Sequence, residues 1–201
     1  MPAPLPSLDR LPTLRATRGA RRWLEDHDVP ALYEVFSDPE VMRYWSRGPF
    51  TEHDEARLYL DSIRESFASR SLFQWGIVRV DDDTVVGTCT LASIDVGHRR
   101  AEIGYALGRR SWGAGLVTEA VTRVLDFAFD ELSLHRIEAD VDPRNARSIR
   151  TLERLGFTRE GLLRERWHVA GEICDAAFYG LLAGEWYERR ARRAGQYSQP
   201  K

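Results

Sequence analysis

The sequence predicts an α+β fold: a mixed, mostly antiparallel central sheet flanked by helices. Three observations carry this. Residues 72–80, 85–94 and 101–107 are three successive runs rich in apolar, aromatic and β-branched residues, as in an antiparallel meander. A helix, a strand and a second helix follow between 116 and 155. Two further strand-like runs, 165–169 and 173–182, close the pattern. A doubly wound nucleotide-binding fold would alternate strand and helix more regularly.

In chain order, residues 1–12 hold four prolines and are expected to form a flexible lead-in to one domain over 13–187. Residues 14–17 can form a first strand. Asp28 is placed to cap a helix with Pro30 in its first turn, running to about Phe36. Ser37-Asp38-Pro39-Glu40 breaks that helix, and a short helical turn continues to Trp45. Thr51 and Asp54 resemble a capping box for a helix to about Ser69. Asp81-Asp82-Asp83 turns the chain between the first two strands of the meander. A glycine-containing loop, 108–115, leads from its third strand into Leu116, Ala120, Val121, Val124, Leu125 and Ala128, which recur at helical spacing. Residues 135–141 read as a strand. Asn145 caps a helix through Leu155, and Gly156 ends it. From Glu188 the chain is basic and polar and is expected to fray as a tail over 188–201.

A chain of 201 residues fits one domain with a full core, and 43% hydrophobic with 30% charged residues excludes a wholly disordered chain. A formal net charge of −2 gives no reason to expect nucleic acid binding, which favours a strongly basic face, although basic patches can hide inside a balanced total. No window reaches the roughly 20 apolar residues of a membrane span, and at the N-terminus no apolar stretch follows the first basic residue, so no signal peptide is expected. The expected compartment is therefore the cytoplasm, with no membrane partner. Cys89 and Cys174 lack metal-ligand spacing and are expected to be buried free thiols. The five histidines do not cluster at ligand spacing, so no metal is expected. Monomer and homodimer both fit the sequence.

The segment Trp112-Gly113-Ala114-Gly115-Leu116-Val117 joins an apolar strand to an amphipathic helix. Two glycines allow a tight turn and close approach of a ligand to the backbone. The first helical N–H groups lack partners and sit at the positive end of the dipole, so an anion such as a pyrophosphate fits there. A plain strand–helix connection is the alternative. The Gly-Lys-Ser/Thr ending of a Walker loop is absent.

This loop resembles the coenzyme A cradle of the GNAT superfamily of N-acetyltransferases. Two frames fit, Arg110 to Gly115 by its letters and Trp112 to Val117 by its distance from the strand. The second is similar to the Trp-Gly-x-Gly-x-Ala-x-Glu-Ala form of the RimJ/RimL branch, departing from it at Val117. Three further segments carry the resemblance: Ser37-Asp38-Pro39-Glu40-Val41-Met42, Arg100-Ala-Glu-Ile-Gly-Tyr-Ala-Leu107, and the helix from Asn145 to Phe157. It spans about residues 10 to 187 and implies an acyl-CoA N-acyltransferase-like fold. It also implies acetyl-CoA as co-substrate and a primary amine as acceptor, either a protein N-terminus of the ribosomal-protein type or a small amine. Trp112, Gly113, Ala114, Gly115, Leu116 and Val117 would hold the coenzyme phosphates. Tyr105, Ala106 and Leu107 would offer backbone groups to the pantetheine arm, because neighbouring strands splay apart there in this family. Asn145 and Ser148 would touch the coenzyme as well.

Acetyl transfer to an amine needs a proton acceptor, a polarised thioester carbonyl and a stabilised leaving thiolate. Glu102, in an otherwise apolar strand, is the candidate base, where partial desolvation would make it a better proton acceptor. Strand alternation groups it with Gly104 and Ala106, leaving Ile103, Tyr105 and Leu107 toward core. A solvent-facing Glu102 paired with Arg100 is the alternative. Glu165 and Asp175 are the other base candidates. Ser148 is the candidate proton donor or thiolate contact, with simple helix capping as its alternative. Trp45 and Trp167 can line the acceptor pocket, while Phe73 and Trp75 read as core. A non-catalytic acyl-CoA sensor on the same fold is the alternative function.

Overall fold

The computed structural model describes residues 8–197. Eight strands form one sheet: β1 (Leu14–Arg15), β2 (Gly19–Arg22), β3 (Phe73–Arg79), β4 (Val85–Asp95), β5 (Arg100–Leu107), β6 (Arg136–Val141), β7 (Thr158–Val169) and β8 (Glu172–Leu182). They lie in the order β1-β2-β3-β4-β5-β6-β8-β7, and only β5 and β6 pair in parallel. The helices are α1 (Val29–Phe36), α2 (Pro39–Met42), α3 (His53–Ala68), α4 (Leu116–Asp126), α5 (Ala146–Leu155) and α6 (Ala183–Tyr197).

Each sheet face carries its own core. On one face Val121, Val124 and Leu125 of α4, Leu152 of α5 and Trp186 of α6 pack on Trp75, Ile77, Leu91 and Ile103. On the other, Leu32 and Phe36 of α1 and Leu60 and Ile63 of α3 cover Val78, Val85 and Ala106. Burying each such side chain is worth roughly 1.5–3 kcal/mol, enough to fix the register of the strands between the layers. The α+β architecture is therefore the one that the sequence predicts.

Several details differ. The strand β2 escapes the sequence because Gly19-Ala20-Arg21-Arg22 has weak strand propensity; pairing with β3 imposes it. Asp28 makes no side-chain cap on α1. Its carboxylate instead accepts from both terminal nitrogens of Arg22, at 2.7 and 2.8 Å, and from the Glu25 N–H at 2.8 Å, which pins β2 to the start of α1. Glu52 is the N-cap of α3, and Glu55 rather than Asp54 completes the box by accepting from the N–H of Glu52 (3.0 Å). The last pair of strands is longer than expected, because the first half of β7 is charged and exposed and carries no apolar alternation.

Of the expected lead-in, residues 1–7 lie outside the described residues, while Leu11 is 2% exposed and part of the core. At the other end, α6 runs through position 188 instead of fraying there, and residues 198–201 lie outside the described residues.

Candidate active site

The site begins where the sheet comes apart. Strands β5 and β6 pair at Arg100↔Arg136, Ala101↔Ile137 and Glu102↔Glu138, and no further. On its other side β5 stays paired with β4 to Leu107. The Gly108 N–H donates to the Val86 carbonyl at 2.8 Å, so by strand alternation Ala106 and Gly104 also turn their backbone groups toward β4. The backbone groups of Tyr105 and Leu107 then face the gap. Ala106, expected to offer its backbone, spends it on β4, and its side chain packs in the core under α1 and α3. The Leu107 carbonyl is taken by Trp112 Nε1 at 2.7 Å, leaving its N–H free.

Beside the gap lies a cavity of about 890 Å³. Tyr105, Ala106, Leu107, Trp112, Gly113, Gly115, Leu116, Val117, Asn145 and Ser148 line it, bringing together ten of the residues expected to bind the coenzyme. Gly113 (φ +82°) and Gly115 (φ +77°) are left-handed, a conformation that other residues adopt at a cost of about 1–2 kcal/mol. Gly115 is the N-cap of α4 and no side chain caps that end, so the helix opens into the cavity with its first N–H groups unspent. The frame from Trp112 to Val117 thus faces the cavity. Arg110 of the other frame instead reaches Glu34 at 3.2 Å on a different surface. Ala114 does not line the cavity; its carbonyl accepts from Arg18 Nη1 at 3.0 Å.

Sequence reasoning passed over the arginines. Arg147, Arg150 and Arg154 all line this cavity, and Arg147 stacks over the Trp112 ring at 4.4 Å. Their spacing of three and four along α5 puts them on one helix face, the signal that could have identified them.

A second cavity of about 540 Å³ lies on the α1–α3 side of β5. Glu102, Gly104, Trp45, Tyr59, Asp140, Trp167 and Asp175 line it, and Trp45, Tyr105, Asn145 and Ser148 border both cavities. Glu102 is half-buried and has no ion pair among the described residues; Arg100 is taken by Glu138 at 2.9 Å. A Cβ on Gly104 would meet nothing within 4 Å, so space lies open beside the carboxylate. Burial pushes the Tyr59 phenol up to about 12, keeping it neutral.

The other base candidates are placed differently. Asp175 lines the cavity, but its Oδ1 accepts the Glu165 N–H at 2.8 Å. Glu165 sits in a β7 irregularity with φ +52°, exposed and outside the cavity lining. Trp167 donates from Nε1 to Asp140 at 3.2 Å. Cys174, expected to be buried, is half-buried on the cavity wall, while Cys89 is buried.

Ser148 is where the two cavities join. Asn145 Oδ1 accepts its N–H at 3.1 Å, so Asn145 does the capping. The Ser148 hydroxyl lies 2.8 Å from the Tyr105 hydroxyl, a contact made by a side chain valued in the sequence only for its backbone. Burial pushes the Tyr105 phenol well above its ordinary range, so it stays protonated and able to donate.

Among the described residues no group of His, Cys, Asp and Glu could hold a metal, and no helix is long and apolar enough to cross a membrane.

A sheet that opens beside an uncapped helix N-terminus, with a half-buried carboxylate in the adjoining cavity, suits an acyltransferase. Residues 20–158 match the acetyltransferase (GNAT) domain family, and the chain belongs to that family. It is 39% identical over 174 residues to the uncharacterized N-acetyltransferase p20 of Bacillus licheniformis, covering 87% of this chain and 98% of that one. It is 27% identical to the spermidine N(1)-acetyltransferase of Vibrio cholerae, covering 84% and 95%. The crystal structure of a GNAT-family acetyltransferase from Bacillus anthracis superposes with a TM-score of 0.77 at 27% identity, covering 86% of this chain and 99% of that one.

Proposed function

We propose that this enzyme transfers the acetyl group of acetyl-coenzyme A to a small, cationic primary amine in the cytoplasm. The observation that carries the reading is the meeting of two cavities at Tyr105 and Ser148, one suited to a phosphorylated donor and the other to a cationic acceptor. In the first, the N–H groups at the start of α4 suit the coenzyme phosphates. The free N–H groups of Tyr105 and Leu107 suit the pantetheine amides and the developing oxyanion. In the second, Glu102, Asp140 and Asp175 lie among Trp45, Tyr59 and Trp167, acids and rings that favour a cation with an alkyl body.

Glu102 takes a proton from the ammonium, directly or through one water. The amine nitrogen then bonds to the thioester carbon, the C–S bond breaks, and the coenzyme leaves as a thiolate. The Ser148 hydroxyl donates a hydrogen bond to that sulfur. Similarity to a spermidine acetyltransferase supports a small amine, and peptide N-termini form the second acceptor class.

Release of coenzyme A thiol should be measured from acetyl-coenzyme A with polyamines, amino acids, aminoglycosides and N-terminal peptides. Turnover with a small cationic amine is expected. Turnover with peptides alone would overturn the acceptor assignment. Acetyl-coenzyme A binding without thiol release on any amine would favour the sensor alternative.

A further inference from the structure

Strand β2 carries a cation in the core. Arg21 is 0% exposed, between the sheet and the first turn of α4. Its Nη1 donates to the Gly19 carbonyl at 3.1 Å and its Nη2 to the Leu116 carbonyl at 3.3 Å, while its Nε has no partner among the described residues. No carboxylate forms an ion pair with it among those residues.

The charged groups near it do not balance it. Glu119 acts on Arg21 through space, but Arg18 already holds that carboxylate: the Arg18 N–H donates to it at 3.0 Å, and the Arg18 Nε lies 3.8 Å away. Arg123 is paired with Asp126 at 3.4 Å. Cys89 is a thiol that burial pushes up to about 12, so it is neutral. Two arginines and one glutamate therefore leave one positive charge uncompensated at the foot of α4.

That charge is costly twice over. A guanidinium stays protonated inside a protein, and burying it without a carboxylate destabilises the fold. A cation at the positive end of a helix dipole is unfavourable as well. An anion at that helix end offsets both, because it attracts the guanidinium across a low-dielectric interior. Leu116 links the two: its carbonyl accepts from Arg21, and the same residue lines the cavity at the helix N-terminus.

We propose that Arg21 is a positioning charge for the coenzyme phosphates, raising coenzyme A affinity while lowering the stability of the free protein. The inference rests on the reading that those phosphates lie at the start of α4.

The test compares Arg21→Met, which keeps the bulk and removes the charge, with Arg21→Lys, which keeps the charge. Coenzyme A affinity is measured by calorimetry, free-protein Tm by thermal unfolding, and KM for acetyl-pantetheine, which has no phosphate, by thiol release. For Arg21→Met, coenzyme A should bind about tenfold more weakly, equivalent to about 1.4 kcal/mol. Its Tm should be no lower than wild type, and its KM for acetyl-pantetheine should stay within about twofold. Arg21→Lys should recover most of the affinity.

Coenzyme A affinity of Arg21→Met within about twofold of wild type would overturn the inference. So would an equal loss toward acetyl-pantetheine, or a lowered Tm with no rescue by Lys, because each would make Arg21 structural. Wild-type protein that binds no coenzyme A would overturn the cofactor reading and this inference with it. Wild-type binding beside an unaffected Met variant overturns this inference alone.

Discussion

Replacing Glu102 with Gln separates basicity from shape. The carboxylate is half-buried, has no ion pair among the described residues and faces open space above Gly104, so the amide loses no salt bridge. Stability should change by no more than about 0.5 kcal/mol, the scale of an uncoupled surface substitution. Loss of a general base costs roughly 10²–10⁴ in rate, or about 2.7–5.5 kcal/mol of transition-state free energy. Acetyl-coenzyme A affinity should not move, because Glu102 borders the acceptor cavity and not the donor cavity. An acceptor amine with a pKa near the lysine value of about 10.4 is almost wholly protonated at pH 7, and its free fraction rises about tenfold per pH unit up to pH 9. Wild type supplies the free amine at the site, whereas the variant must draw it from solution. The deficit in kcat/KM should therefore shrink by up to about tenfold per unit over that range. Thiol release across pH 6.5–9.5, with calorimetry for donor binding, measures both quantities. Full activity of Glu102→Gln at pH 7 would refute the assignment and direct attention to Asp175. Glu165, outside the cavity lining, would require movement of β7.

Further perturbations test the neighbouring parts. Ser148→Ala should lower kcat with little change in acetyl-coenzyme A affinity, since a thiolate contact matters most as the C–S bond breaks. Tyr105→Phe should lower kcat by about two- to tenfold, the scale of one lost hydrogen bond, and a double-mutant cycle should show coupling between the two; additive effects would deny the hydroxyl pair a joint role. A Cβ on Gly115 would run into Arg18 Nη1, so Gly115→Glu should abolish coenzyme A binding by forcing out Arg18 and straining a left-handed residue. Gly113→Ala, whose Cβ meets nothing within 4 Å, should weaken binding far less, and equal calorimetric losses would refute this distinction. Iodoacetamide at pH 8 should alkylate Cys174 and inhibit the acceptor half of the reaction. Cys89, buried and protonated with its thiol pushed up to about 12, should stay unmodified until unfolding, as peptide mass mapping would show.

The sequence carried the parts of the site that depend on local spacing. Glu102, Gly104 and Ala106 share one strand face by alternation alone, and Glu102 and Gly104 line the second cavity together. Asn145 and Gly156 bound α5 because capping chemistry is local. What escaped is set by contacts between distant segments. Arg18 and Arg21 look like ordinary polar residues until pairing with β3 brings them to the foot of α4, nearly a hundred residues away. Tyr105 and Ser148, 43 apart in sequence, acquire a joint meaning only when α5 packs beside the splayed strand. Asp28 is read as a cap because its position next to a helix is local information; Arg22 claims it by a tertiary contact.

The division of labour along β5 follows from its alternation. Successive residues turn opposite ways, so one strand serves three surroundings at once. The Glu102 side chain and the open space at Gly104 face the second cavity, the Tyr105 hydroxyl meets α5, and the N–H groups of Tyr105 and Leu107 face the gap beside β6. Such a strand tolerates no slip: moving β5 by one residue would send Glu102 into the core beneath α4 and turn Tyr105 toward the acceptor. The structure holds the register at the residue that most needs it. Ala92 of β4 pairs with Glu102, and the next pair is Asp95 with Arg100, so β4 carries one extra residue there, in an irregularity where Ser93 has φ +51°. Asp95 steadies the turn that follows by accepting the His98 N–H at 2.9 Å. On the other edge of β5, Glu102 is also the last residue to pair with β6 before the strands part. A bulge on one side and the end of pairing on the other fix Glu102 at the mouth of the gap, where an amine entering from the α1–α3 face would meet a donor lying along the splay.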